Sequence, residues 1–129
     1  MPPYLIHAVL MNSAFVVLAA GVYIVMRLRK ERWWFKTHRL LGVLGAVCMI
    51  FGWNAAAIML AEGGVSPTGL HAFLGIAAII LGVVTAGLGW LQFRLKKKPI
   101  RIIHHWTGRA TVVIQAINIA LGLRLIGIL

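Results

Sequence analysis

The sequence predicts an all-α integral membrane protein, an up-down bundle of four transmembrane helices. Hydrophobic residues make up 61% of its 129 residues and the mean hydropathy is +0.94, well outside the range of soluble globular chains. Four apolar segments, at about 5–26, 40–61, 70–93 and 102–123, each reach the ~20 residues needed to cross a hydrocarbon layer. The connections between them are short, so sequential helices must run antiparallel. Lipid leaves only helices or closed barrels as spanning structures, because every backbone polar group has to be satisfied internally. The chain 1–129 reads as a single domain.

Met1-Pro2-Pro3 precedes the first span, where proline suits the start of a helix. This span lacks a basic segment ahead of its apolar run, so it does not read as a cleavable signal peptide. The second connection, 62–69, carries the turn residues Gly63, Gly64, Pro67 and Gly69, and Pro99 marks the start of the fourth helix. Trp33, Trp34, Trp90 and Trp106 fall near the span boundaries, where indoles favour the interface. Cys48 is the single cysteine and sits mid-span, so no disulfide framework exists and it reads as a small core residue.

A net charge of +11 in a soluble chain would suggest nucleic acid, but its distribution excludes that. Twelve of the thirteen Lys and Arg lie between Arg27 and Arg39 or between Arg94 and Arg109, whereas residues 1–6 and the connection 62–69 have none. The positive-inside rule then puts both basic connections in the cytoplasm and both termini outside. The same residues suit contact with anionic lipid head groups.

Histidine recurs at positions 7, 38, 71 and 104, each at the start of an apolar run. On a helix packed in a bundle, the positions four, seven, eleven, fourteen and eighteen further on share one face. From His38 they are Gly42, Gly45, Met49, Gly52 and Ala56; from His71 they are Gly75, Ala78, Gly82, Thr85 and Gly89. From His104 they are Gly108, Thr111, Gln115, Asn118 and Gly122, and from His7 they are Met11, Ala14, Leu18, Gly21 and Val25. These are the small and polar residues of otherwise bulky helices, so the histidine side is the protein-facing side. Small residues alone would serve close helix packing. An ionisable residue opening each such stripe points to a functional site. His105 opens a different stripe, Arg109, Val112, Ala116, Ile119 and Leu123, which is lateral or lipid-facing. His104 is therefore the ligand candidate of that pair, and His105 meets the interface or a haem propionate.

Topology pairs His7 with His71 in the outer leaflet and His38 with His104 in the inner one, each pair on diagonal helices. Two imidazoles opposed across a core offer the two axial positions of a haem and leave no open site for oxygen, which suits electron transfer. Zinc usually takes three or four ligands, and each layer has only two or three. The spans hold no acid, since Glu31 and Glu62 fall in connections. That argues against a di-iron carboxylate site and against a proton-coupled exporter built on an intramembrane acid. Two bis-histidine b-type haems are the expected cofactors. The Arg109 guanidinium, one turn deeper than His104, can bind a propionate or reach the interface.

The phrases Ile6-His7-Ala8-Val9-Leu10-Met11, Lys36-Thr37-His38, Leu70-His71-Ala72-Phe73-Leu74-Gly75 and His104-His105-Trp106-Thr107-Gly108-Arg109 resemble, in order, the ligand helices of the cytochrome b561 family. The resemblance covers about residues 4–125. It implies a transmembrane electron carrier with two b haems, one near each membrane face. It further implies reduction by cytoplasmic ascorbate and electron delivery to an outer acceptor such as a ferric chelate. Eukaryotic members typically have six spans, and this sequence holds the four that carry ligands. In ascorbate-using relatives a lysine just before the cytoplasmic ligand helps bind substrate, and Lys36 matches it; Lys98 and Arg101 are weaker candidates before the fourth-helix ligand.

Other readings remain open at this point. One is a haem-bearing membrane subunit that takes electrons from a quinol for a partner redox protein. Another is a cofactor-free helical scaffold or small transporter. A homodimer is compatible with each.

Overall fold

The computed structural model describes residues 1–63 and 69–129, so most of the connection at 62–69, Gly64 and Pro67 included, lies outside the described residues. The described residues form four α-helices and no strand: α1 Pro3–Arg27, α2 Trp34–Ala61, α3 Leu70–Leu95 and α4 Lys98–Leu125. The protein is an all-α, multi-pass integral membrane bundle. α1, α2 and α3 are each long and apolar enough to cross a membrane. α4 matches them in length, and three of its polar side chains, Thr111, Gln115 and Asn118, are turned inward and buried.

Two helices extend beyond the apolar runs that announce them. α2 begins at Trp34 and α4 at Lys98, several residues ahead of the expected 40 and 102. Lys36, Arg39, Lys98 and Arg101 are all exposed, so they keep helical backbone while their long side chains reach for the interface. Pro3 and Pro99 lie in the first two positions of their helices, as their missing N–H groups allow. α3 ends on Lys96 in the left-handed conformation, φ 52°, which makes the turn into α4 very tight. After α2 the chain passes Gly63 at φ 70° and enters α3 from Gly69 at φ 129°, backbone that glycine adopts most readily.

α1 packs along α2 and α3 along α4, while contacts between these two hairpins are much sparser, and among the described residues the backbones of diagonal helices stay apart. Glycines permit the close approach within each hairpin. The Leu18 side chain fills the space over Gly45, and Met11 that over Gly52. The core is small: Ala14, Met49 and Ala78, with Leu18, Cys48, Ile79 and Ile114 packed on it. Large apolar side chains such as Val43, Phe51, Phe73 and Val113 point outward, the arrangement expected where the surrounding solvent is lipid.

Candidate cofactor site: two opposed histidine pairs

The stripes read from sequence are the inward faces. Met11, Ala14 and Gly21 on α1, Gly45, Met49 and Gly52 on α2, Ala78 on α3, and Thr111, Gln115 and Asn118 on α4 are all buried. The helix ends holding the four histidines form two opposed pairs. The His7 and His71 rings have centroids 6.2 Å apart and planes at 84°. The His38 and His104 rings are 6.0 Å apart at 81°. The second pair lies at the end carrying both basic connections, here called the basic end, and the first at the far end.

Every ring is held the same way. His7 Nδ1 hydrogen-bonds to the Gly52 carbonyl oxygen at 2.8 Å, and His38 Nδ1 to that of Gly21 at 3.1 Å. His71 Nδ1 bonds to the Asn118 carbonyl oxygen at 3.0 Å, and His104 Nδ1 to that of Thr85 at 2.9 Å. A carbonyl can only accept, so Nδ1 is the donor in all four rings, which leaves Nε2 as the nitrogen available to a metal. Each acceptor lies fourteen residues after the histidine of the partner helix: Gly21 after His7, Gly52 after His38, Thr85 after His71, Asn118 after His104. The four helices therefore repeat one unit, an imidazole near the start and its neighbour's anchor about four turns on. Those fourteen residues, at ~1.5 Å each, separate the two histidine layers by ~21 Å.

Two further glycines complete the ring seats. An ideal Cβ on Gly122 would stand 2.9 Å from His71 Cε1, and one on Gly89 would stand 3.0 Å from His104 Cε1. A methyl group at either position would press on the ring and force it to shift.

The seats suit a metal held between two axial nitrogens. A metal–imidazole bond of about 2.0–2.1 Å, with about 1.1 Å from Nε2 to the ring centre, puts trans imidazole centroids about 6.3 Å apart. The observed 6.2 and 6.0 Å agree with that spacing. Among the described residues, no hydrogen bond occupies an Nε2, and no three His, Cys, Asp or Glu side chains converge as a zinc cluster would.

The family model described as eukaryotic cytochrome b561 matches residues 6–127. The chain belongs to the cytochrome b561 family. As a cytochrome b561 it is a b-haem-binding membrane protein of transmembrane electron transfer. No curated protein and no solved structure matches the chain.

The remaining candidates divide by position. His105 sits beside His104 with centroids 6.0 Å apart, and Arg29, Arg101 and Arg109 all bear on it electrostatically. Arg29 also bears on His38. The Arg109 guanidinium lies 5.5 Å from the centre of the exposed Trp106 ring, a cation–π contact at the membrane boundary. Lys36 lines an outward groove with Arg39, Leu40 and Val43. Two residues along a helix turn it by about 200°, so Lys36 faces away from His38. Lys98 is exposed at the first position of α4. Arg29 was invisible to motif reading because it belongs to a connection whose charges all look alike in sequence.

Proposed function

We propose that this cytochrome b561 carries electrons across the membrane through two bis-histidine b haems, ligated by His7 and His71 at the far end and by His38 and His104 at the basic end. Haem supplies reversible one-electron chemistry at iron. The four imidazoles would ligate through Nε2, while the Nδ1–H···O=C bonds fix tautomer and ring plane and raise ligand basicity. Two histidines holding each haem would leave oxygen no ligand position, which suits electron transfer. The observation that carries this reading is the two pairs of near-perpendicular imidazoles, at 6.2 and 6.0 Å, each ring anchored through Nδ1. The ~21 Å between layers covers most of a ~30 Å hydrocarbon core, so an electron passing between the pairs crosses the apolar middle of the membrane.

The direction of the charge bias supports a cytoplasmic basic end. An anionic donor such as ascorbate is drawn there by Arg29, Arg101 and Arg109 around His105, with Arg109 also available to a propionate; Lys36 and Lys98 add to the field. The acceptor outside is a ferric chelate or a similar oxidant. The second reading, a neutral quinol arriving within the bilayer and a partner redox protein receiving the electron, gains support from the lipid-facing groove at Lys36, Arg39, Leu40 and Val43. An optical spectrum of the purified protein before and after dithionite, with haem per chain by pyridine haemochrome, tests the core proposal. Two low-spin haems per chain are expected; a protein that folds without haem would refute it and leave a helical scaffold.

A further inference from the structure

The two hairpins meet in the middle of the bundle through two side chains that occupy equivalent positions. Met49 and Gln115 are the largest fully buried side chains, and each lies eleven residues after its own helix's histidine. Each crosses from one hairpin to the other. Met49 of α2 lies over Gly82 of α3, where a Cβ would come within 3.0 Å of its sulfur. Gln115 of α4 instead reaches α1, and its Nε2 donates to the Met11 carbonyl oxygen at 2.9 Å. Among the described residues this is the only side-chain hydrogen bond joining the hairpins, since all four histidine bonds stay within a hairpin.

The bond falls between the two members of one pair. Met11 is one turn from His7 on α1, and Asn118, one turn from Gln115 on α4, is the residue whose carbonyl holds His71. Tying Met11 to Gln115 therefore ties the turn that carries His7 to the turn that anchors His71. Met49, level with Gln115 and one turn from Gly52, makes only van der Waals contact with Gly82, and among the described residues no side-chain hydrogen bond joins the hairpins near the basic-end pair, where Phe35 of α2 stacks on Phe93 of α3 instead. A directional bond fixes a distance, whereas a thioether over a glycine tolerates sliding. We infer that Gln115 is a positioning residue that sets the spacing of the His7/His71 pair. This inference rests on the proposal that the pair ligates a haem.

The test is Gln115→Met, which gives α4 the side chain that α2 already accommodates at the same position. His38→Ala, which breaks the basic-end pair, provides a background in which the far-end site is read alone. Release of haem to a scavenging apoglobin and the low-spin electron paramagnetic resonance signal are the readouts. Loss of one net hydrogen bond should speed far-end haem release roughly fivefold. It should also shift and broaden that haem's low-field signal, with the basic-end haem unchanged in a His71→Ala background. Far-end release and signal identical to those of the parent, or equal changes at both ends, would overturn the inference. Should Gln115→Met fail to accumulate, Gln115→Asn, one methylene too short for the bond, is read against the same two outcomes. Absence of two haems from the wild-type protein would instead refute the proposed function, so the two failures are distinct.

Discussion

Gly122→Ala offers a direct probe of how the far-end imidazole is seated. The new Cβ would stand 2.9 Å from His71 Cε1, whereas carbon atoms rest at about 3.5–4.0 Å. The ring would have to retreat by about 0.6 Å or more. It has little freedom to do so, because Nδ1 is bonded to the Asn118 carbonyl oxygen at 3.0 Å. A retreat of that size takes the contact beyond hydrogen-bond range and exceeds the ~0.2 Å tolerance of a metal–ligand distance about threefold. Overpacking of about 1–3 kcal/mol and a lost bond of about 1 kcal/mol combine to about 2–4 kcal/mol, or roughly 30- to 1,000-fold weaker retention of haem at that site. Haem per chain by pyridine haemochrome should fall from two toward one, with helical circular dichroism unchanged.

The same geometry supplies internal controls. Gly89→Ala should weaken the basic-end site in the same manner, since its Cβ would lie 3.0 Å from His104 Cε1. Gly21→Ala should be tolerated, because its Cβ would sit 3.7 Å from His38 Nδ1, an ordinary contact. Gly87→Ala faces open space and should change neither haem. Two intact low-spin haems in Gly122→Ala, with a signal matching the wild type, would refute the seating argument.

Three further outcomes are expected. His71→Ala should remove the far-end haem and His38→Ala the basic-end one, each leaving about half the wild-type absorbance, whereas simultaneous loss of both from folded protein would show the sites to be interdependent. His104→Ala should abolish low-spin character at the basic-end haem while His105→Ala retains it; reversed outcomes would sink the assignment of the adjacent pair. Arg101→Ala should slow reduction by ascorbate more than Lys36→Ala does, without altering the haem spectrum, and added salt should slow the wild type by screening. Rates indifferent to both substitutions and to salt would instead favour a neutral quinol.

The sequence was most informative where side chains themselves define the face. A helix of fixed pitch turns one histidine and the positions four to fourteen residues beyond it into a single stripe. Most of the buried residues from Met11 to Asn118 lie on that stripe, with Ile24 and Ala55 one position off it and Ala78 the one on α3. The anchors of the imidazoles were not legible, because the acceptors are backbone carbonyls and every residue type has one. Glycine at 21 and 52 hinted at close approach, but Thr85 and Asn118 do the same work through their main chain. The direction in which Lys36 points was not legible from its closeness to His38 in sequence, because two helical steps turn a side chain by about 200°.

Where the bonds fall also bears on assembly. All four imidazole anchors run between the helices of one hairpin, whereas each opposed pair takes one histidine from each hairpin. Ring plane and tautomer are thus set by contacts within a hairpin. Contact between hairpins is sparse, and its centre consists of Met49 over Gly82 and Gln115 on Met11. A cofactor ligated from both sides would add a link at each end of the bundle. Anything that binds only the assembled form stabilises it by mass action. In this architecture the haems would join the two hairpins as well as carry electrons.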